Sequence, residues 1–395
     1  MTTSGAKPEI ILVPDSFKGT LSASEVCSIM ESSIHKMRPG VCVQSIPAAD
    51  GGEGTVESLI RAVGGRIETR EVTGPLFGRI TARYAILSNG VAVIEMASAA
   101  GLPLMGEKLD VMHATTYGVG ELIRHVINSG HKEIIVGLGG SATNDGGAGV
   151  CAALGVVFRN VKGEAFVPVG ASLKKIHSID RSALPDSLKN IRLRLMCDID
   201  NPLIGPNGAA HVFAKQKGAC EAERELLDQG LRHFSNCIRE SVGIDVAQLP
   251  GAGAAGGMGG GLHALLGGEL EKGIDILLDT VGFDHLLEDA RLVITGEGKL
   301  DSQSLMGKVI GGVAKRTKRA GVPLIALVGD VGDDIAAVYA AGVSAVLSIN
   351  RMAIPYQEAK KRAKEDLALT LEELFRIMAI GDVVPRVCPD VMPTL

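Results

Sequence analysis

Short apolar runs and apolar stripes at helical spacing alternate at both ends of the chain. Residues 10–13 and 41–46 have the pattern of buried strands, and helical stripes follow at 23–34 and 55–63. The same alternation returns in the last third. Strand-like runs lie at 292–295, 324–328 and 343–349, and each is followed by a helical stripe. Because alternating strands and helices form a parallel sheet with helices on its faces, both ends together predict one doubly wound α/β domain.

The middle of the chain has a different rhythm. The runs at 80–87 and 91–96 are separated by Ser88-Asn-Gly90, which is typical of a hairpin. A long amphipathic helix is predicted at 221–242, whereas 160–190 has the composition of a loop with a short helix. We therefore expect an inserted mixed α/β domain at 70–288, and a discontinuous doubly wound domain formed by 1–69 and 289–395.

A glycine-rich turn at 137–149 lies between an apolar strand-like run and a second apolar segment. This order is typical of a strand that leads through a tight turn into a helix. Backbone N–H groups at a helix start bind anions, so we expect the turn to bind nucleotide phosphates. The candidate ligands are Gly139, Gly140, Ser141, Thr143, Asn144 and Asp145. Asn144 or Asp145 could instead cap the following helix.

The same turn also fits the dinucleotide-binding pattern G-x-G-x-x-A at 137–142. That pattern requires an acidic residue about 20 positions further on, but the next apolar run ends in Arg159 and Asn160. A dehydrogenase is therefore disfavoured. The chain also lacks the P-loop motif and the protein-kinase motifs.

Acidic residues set among glycines follow four of the predicted strands. They are Asp15, Asp50, Glu297 and Asp330. In an open parallel sheet the carboxyl ends of the strands line the ligand site. A helix cap is nevertheless the commoner role of a single acid after a strand, and it fits Asp330. Carboxylates together with phosphates suit Mg²⁺, so phosphoryl transfer to a small hydroxylated substrate fits this inventory.

Composition excludes several other classes of protein. The 395 residues carry a net charge of -5 and no Trp, which argues against nucleic acid or an anionic membrane as a partner. The seven cysteines are scattered without C-x-x-C, as expected for reduced thiols. No apolar stretch is long enough for a transmembrane helix. We expect a soluble cytoplasmic protein that is a monomer or a homodimer.

The motifs of the chain closely resemble those of the class I glycerate kinases, in order from about residue 9 to 378. The matching stretches are PDSFKGTLSA (14–23), PAADGGEGT (47–55), TTYGVGELI (115–123), GLGGSATNDGGAG (137–149), CDIDNPLIGPNGAA (197–210), FAKQKGA (213–219), GAGAAGGMG (251–259) and ITGEGKLDSQSLMGK (294–308). The resemblance implies a flavodoxin-like domain built from both chain ends, and an inserted α/β domain. It also implies ATP- and Mg²⁺-dependent phosphorylation of D-glycerate, most often to 2-phosphoglycerate, in organic acid metabolism.

For this reaction, we predict a role for each residue at the strand ends. Ser16 and Lys18 would bind the glycerate carboxylate or the transferring phosphoryl group, and Asp198 would be the general base with Asp15 as its rival. The remaining candidates are acids: Asp50 and Glu297 for Mg²⁺, and Asp50, Glu53 and Asp301 for the substrate hydroxyls. A kinase of another small hydroxy acid and a non-catalytic nucleotide-binding regulator stay open as alternatives.

Overall fold

The structure, a computed structural model, describes residues 7–48, 51–52, 54–301 and 308–381. By its internal contacts the chain divides into two units. We call residues 1–48 with 282–395 the flavodoxin-like unit, and residues 49–281 the inserted unit. Each unit is described by itself.

The described residues form strands and helices that are numbered here in chain order. The strands are β1 (Ile10–Pro14), β2 (Val43–Ser45), β3 (Gly65–Thr73), β4 (Arg79–Leu87), β5 (Ala92–Glu95), β6 (Glu133–Gly137), β7 (Val157–Arg159), β8 (Ala165–Phe166), β9 (Ser178–Asp180), β10 (Arg192–Met196), β11 (Glu269–Glu271), β12 (Leu292–Leu300), β13 (Leu324–Val331) and β14 (Ala345–Ser348). The α-helices are α1 (Ala23–Met37), α2 (Thr55–Val63), α3 (Ala97–Ala100), α4 (Tyr117–Asn128), α5 (Ala148–Leu154), α6 (Ala209–Phe213), α7 (Glu221–Val242), α8 (Ala254–Leu266), α9 (Gly273–Thr280), α10 (Phe283–Leu286), α11 (Val309–Ala320), α12 (Ala336–Ala341) and α13 (Tyr356–Gly381).

The flavodoxin-like unit is built on a five-stranded parallel sheet in the order β14-β13-β12-β1-β2. Counted along this unit alone, the order is 2-1-3-4-5, which is the flavodoxin-like arrangement. A capping box starts α1, because the Ser22 hydroxyl accepts from the Glu25 N–H and the Glu25 carboxylate accepts from the Ser22 N–H. The predicted doubly wound sheet from both chain ends is confirmed.

Two strands of this sheet are longer than the sequence predicted. We expected turns to begin at Gly296 and Gly329, but β12 and β13 remain paired as far as Leu300 and Val331. Glycine is required at 296, because a Cβ there would lie 2.5 Å from the Leu327 carbonyl oxygen. Glu297 and Asp330 therefore lie within paired strands, not in loops.

The inserted unit contains a six-stranded mixed sheet in the order β11-β10-β6-β5-β4-β3. The pairs β3–β4 and β4–β5 are antiparallel and the others are parallel, so the hairpin expected around Ser88 to Gly90 is present. A separate three-stranded antiparallel sheet has the order β8-β7-β9. It overlaps the segment 160–190, which otherwise has the expected loop with short 3₁₀ helices at Gly170–Lys175 and Asp186–Asn190. The two short strands in this segment were not expected.

The inserted unit begins earlier than we expected. Contacts place the boundaries after residues 48 and 281, whereas the sequence suggested 69 and 288. The physical reason is that β3 pairs with β4 along its whole length, and α2 packs on β4 and β5.

Among the described residues, no helix is both long enough and apolar enough to cross a membrane.

Candidate functional site

The glycine-rich turn of the inserted unit follows β6 and is held tightly at its start. The Leu138 N–H donates to the Met196 carbonyl at 3.3 Å, and the Gly139 N–H donates to the Gly51 carbonyl at 2.9 Å. A Cβ at Gly139 would lie 2.6 Å from the Gly52 Cα, so only glycine allows this close approach. The turn is therefore fixed in position before it reaches its polar residues.

Beside this turn lies a cavity of about 310 Å³ within the inserted unit. Its walls come from the turn, the end of β10, the segment after α6 and the first turn of α8. The lining residues are Gly52, Leu102, Leu138, Gly139, Gly140, Ser141, Met196, Cys197, Asp198, Ile199, Phe213, Gln216, Lys217, Ala254 and Ala255. The structure thus brings the predicted residues Gly139, Gly140 and Ser141 together with Asp198.

Lys217 is a buried cation in the wall of this cavity, with a side chain that is only 2% exposed. Its Nζ donates to the Ser141 Oγ at 2.7 Å and to the Thr143 carbonyl at 2.7 Å. Burial lowers the pKa of Lys217 to about 7, against the opposing effect of the Asp145 charge. Lys217 was not among the residues predicted from the sequence, although it lies within the FAKQKGA motif.

Asp145 is buried and serves as a cap for α5. Its carboxylate accepts from the Thr116 N–H at 2.8 Å, the Thr116 hydroxyl at 2.9 Å, the Gly147 N–H at 3.0 Å and the Gly149 N–H at 3.2 Å. Burial raises the pKa of Asp145, although these donors oppose the shift. Of the two roles considered for Asp145, the structure shows the cap. The Gly147 and Gly149 N–H groups at this helix start are therefore occupied by this carboxylate.

Thr143 and Asn144, the other candidates in the turn, are also fully buried. Within the described part of the chain, the Thr143 hydroxyl and both polar atoms of the Asn144 side chain have no hydrogen-bond partner. Neither residue lines the cavity. The predicted nucleotide ligands thus divide into cavity residues at 139–141 and buried residues at 143–145.

The first turn of α8 shapes another wall of the cavity. Ala255, Gly256 and Gly257 have left-handed backbone angles, with φ of 52°, 67° and 92°. A Cβ at Gly256 would lie 2.0 Å from the Thr143 carbonyl oxygen, so the two glycine-rich segments touch through their backbones. The left-handed conformation of Ala255 stores strain of about 1 kcal/mol, and such strain is typical of functional sites.

Asp198 follows β10 and lines the cavity with an exposed carboxylate. Its Oδ1 accepts from the Gly273 N–H at the start of α9, at 2.7 Å. Asp200, two residues later, instead forms a surface ion pair with Lys272 at 2.7 Å. The two acids of this segment therefore have different surroundings, and only Asp198 lines the cavity.

The candidates of the flavodoxin-like unit lie on or just after the neighbouring strands β1 and β12. The Asp15 N–H donates to the Gly296 carbonyl at 2.8 Å, and the Asp15 carboxylate accepts from the Ser16 N–H at 2.6 Å. Lys18 is exposed, and a Cβ at Gly298 would lie 3.3 Å from its backbone nitrogen. Glu297 is buried on β12, and Asp301 follows directly after that strand. The candidates Asp50 and Glu53 lie outside the described residues.

Chemically, the two groups of residues offer different functions. The cavity combines a carboxylate at Asp198, which can accept a proton, with a buried amine at Lys217. Asp15, which follows β1, and Glu297, which lies on the neighbouring strand β12, supply carboxylate oxygens, the ligands that Mg²⁺ prefers. Over residues 7–48, 51–52, 54–301 and 308–381, no group of three or more His, Cys, Asp or Glu side chains could hold a metal ion.

Comparison with known proteins gives a consistent result across the chain. The model of the glycerate kinase family matches residues 10–379. A glycerate kinase of Bacillus cereus is 44% identical over 375 residues, covering 94% of this chain and 98% of the relative. A glycerate 2-kinase of Escherichia coli K12 is 43% identical over 375 residues, with the same coverage of both chains.

A solved structure extends the similarity to three dimensions. A crystal structure from Salmonella typhimurium LT2, designated glycerate kinase 2, superposes with a TM-score of 0.83 at 40% sequence identity. The match covers 96% of this chain and 100% of the other. The resemblance noted in the motifs is confirmed, and the chain belongs to the glycerate kinase family.

Proposed function

We propose that this protein phosphorylates D-glycerate with ATP and that the product is 2-phosphoglycerate. The observation that carries the proposal is the cavity of the inserted unit, in which the anchored carboxylate of Asp198 faces the same space as Ser141 and Lys217. The name of the Escherichia coli relative, glycerate 2-kinase, supports the choice of substrate and of the 2-hydroxyl.

Asp198 is proposed as the general base. Its hydrogen bond from the Gly273 N–H fixes the orientation of the carboxylate at the start of α9, where the helix dipole favours a negative charge. A carboxylate held in this way accepts the hydroxyl proton as the substrate oxygen attacks the terminal phosphorus of ATP. The proton thus leaves the hydroxyl for Asp198, and the phosphoryl group leaves ADP.

The glycine turn at Gly139 to Ser141 is proposed to bind nucleotide phosphates through its backbone. The Asp145 carboxylate, by contrast, caps α5 by accepting from the Gly147 and Gly149 N–H groups. Mg²⁺ would neutralise phosphate charge, and the proposed ligands are Glu297 and Asp50, of which only Glu297 lies within the described residues. The carboxylate chemistry of Glu297 and neighbouring Asp15 fits this ion.

In the flavodoxin-like unit, Ser16 and Lys18 are proposed to bind an anionic group of the substrate. The exposed position of Lys18 in the loop after β1 leaves its ammonium accessible to a ligand. Asp301 is proposed to orient a substrate hydroxyl, and Asp15 remains the rival of Asp198 as base. We further propose a cytoplasmic enzyme of organic acid metabolism that is a monomer or a homodimer.

The test is a substrate panel with purified protein, ATP and Mg²⁺, in which ADP release is followed continuously. D-glycerate should give turnover far above that with L-glycerate, glycolate or D-lactate. Preferred turnover of another acid would instead indicate a kinase of a different small hydroxy acid. ATP binding without turnover of any acid would contradict an enzymatic function and favour a nucleotide-binding regulator.

A further inference from the structure

Lys217 is buried in the cavity wall without an anionic partner. Both hydrogen-bond acceptors of its Nζ, the Ser141 hydroxyl and the Thr143 carbonyl, are neutral. No described carboxylate forms an ion pair or a hydrogen bond with this lysine. An ammonium group has three N–H donors, and an unpaired buried charge is costly. The described structure therefore satisfies two donors of Lys217 with neutral acceptors and places no anion in direct contact with its Nζ.

The ionisable groups around Lys217 do not form an ion pair with it. Asp145 acts on Lys217 only through its charge, because its carboxylate is taken up by the donors at Thr116, Gly147 and Gly149. Across the cavity, Asp198 accepts from the Gly273 N–H, and burial raises the pKa of the Cys197 thiol.

The helices that flank the lysine offer no counter-charge either. His211 on α6 lies 3.9 Å from Glu225 on α7, and neither residue lines the cavity. The segment that carries Lys217 is anchored instead by an apolar cluster. Its members are Val111, Ala210, Ala214, Ala219 and Leu227.

We propose that Lys217 forms the anion-binding subsite of this cavity, and that binding a carboxylate or phosphate there is coupled to the uptake of one proton by Lys217. The proposal deepens the proposed function and rests on it for the identity of the anion, which would be the glycerate carboxylate or an ATP phosphate. Ser141 and Thr143 are positioning residues in this account, since they hold the amine at the cavity wall.

The coupling follows from burial. In the unliganded protein the pKa of Lys217 is lowered to about 7 by burial, so the amine is largely neutral at pH 8. A bound anion favours the ammonium form and raises this pKa, so the side chain takes a proton from the buffer on binding. The same linkage requires anion affinity to fall as pH rises above about 7, by up to tenfold per pH unit.

The wild-type protein can be tested by isothermal titration calorimetry in two buffers of different ionisation enthalpy, such as Tris and HEPES. The ligands are inorganic phosphate, D-glycerate and ATP, each titrated at pH 8 and at pH 6. We expect an uptake close to one proton at pH 8 and little uptake at pH 6, where Lys217 is already charged. Uptake with glycerate alone assigns the carboxylate to the subsite, and uptake with phosphate and ATP assigns a phosphate.

Two variants separate the subsite from the fold. Lys217→Met keeps the volume of the side chain and should abolish proton uptake and weaken the assigned ligand at least tenfold at pH 6. Lys215→Met is the matched control, because Lys215 is exposed on the same short 3₁₀ helix and does not line the cavity. It should behave as the wild type in both measurements.

The proposal is overturned if no ligand shows proton uptake in the wild type, or if Lys217→Met binds and takes up protons as the wild type does. These results leave turnover of D-glycerate untouched, so they are distinguishable from failure of the proposed function. Conversely, phosphate-linked uptake in a protein that turns over no acid would support the subsite and refute the kinase reaction. Should Lys217→Met fail to fold, the wild-type calorimetry still decides.

Discussion

The cap formed by Asp145 allows a direct test of how the glycine turn is stabilised. We consider Asp145→Ala, which removes a carboxylate that accepts from three backbone N–H groups and one hydroxyl. The Thr116 hydroxyl can rotate towards another acceptor, but the N–H groups of Thr116, Gly147 and Gly149 cannot. The substitution therefore leaves three buried donors without their present partner.

Each orphaned buried donor costs about 1–3 kcal/mol, so the three donors give a gross loss of about 3–9 kcal/mol. Part of this loss is offset, because the wild type bears the cost of burying a carboxylate, as the raised pKa of Asp145 shows. The net destabilisation should therefore be about 3 kcal/mol. Asp145→Asn should cost less, about 1–2 kcal/mol. Its amide oxygen still accepts hydrogen bonds from the backbone, and only its NH₂ group meets a backbone N–H that it cannot accept from.

The assay is equilibrium urea unfolding at pH 7, followed by far-UV circular dichroism. The matched control is Thr143→Val, which removes a buried hydroxyl that has no partner within the described residues. It should leave the free energy of unfolding within about 1 kcal/mol of wild type. If Asp145→Ala is as stable as wild type, Asp145 is not a stabilising cap. If the variant is also unable to bind ATP, Asp145 is a nucleotide ligand instead.

Three further substitutions test other parts of the account. Asp198→Asn should lower kcat by about 10²–10⁴-fold with substrate affinity retained. The control Asp200→Asn, at a surface residue, should have little effect. Unchanged kcat of Asp198→Asn at saturating substrate would exclude Asp198 as the base. Lys18→Met should lower turnover by about 100-fold or more without changing the circular dichroism spectrum, and near-normal kinetics would remove Lys18 from the site. Arg194→Met should destabilise by about 2 kcal/mol, because it removes a buried guanidinium that pairs with the partly exposed Glu271 and Asp279. Arg192→Met, at a half-exposed arginine, should cost less than about 1 kcal/mol, and equal costs in urea unfolding would contradict this distinction.

The sequence predicted the architecture of both units where local pattern and final pairing agree. The apolar runs of β1 and β13 are strands by composition and by contact, and α7 has its predicted bounds of 221–242. The extensions of β12 and β13 were not predictable, since their glycines and acids have the local composition of turns. These segments are strands because they pair with each other, as Lys299 does with Asp330, and not because of their local propensity.

Side-chain roles at the site were predictable only in part, because they depend on contacts distant in sequence. The position of Asp145 in the sequence is compatible with a cap and with a ligand. Its hydrogen bonds from Thr116, 29 residues away, favour the cap. Lys217 has no local signal of burial, since its charge suggests a surface residue. Only the packing of its segment against the glycine turn, 76 residues earlier at Ser141, reveals its role.

The central claim is that this chain transfers the terminal phosphoryl group of ATP to the 2-hydroxyl of D-glycerate. The most direct measurement is phosphorus NMR of the product, with proton coupling to identify the esterified carbon. The account predicts one product phosphate coupled to the single proton at C2, which identifies 2-phosphoglycerate. A phosphate coupled to the two protons at C3, or no phosphoester at all, would contradict it.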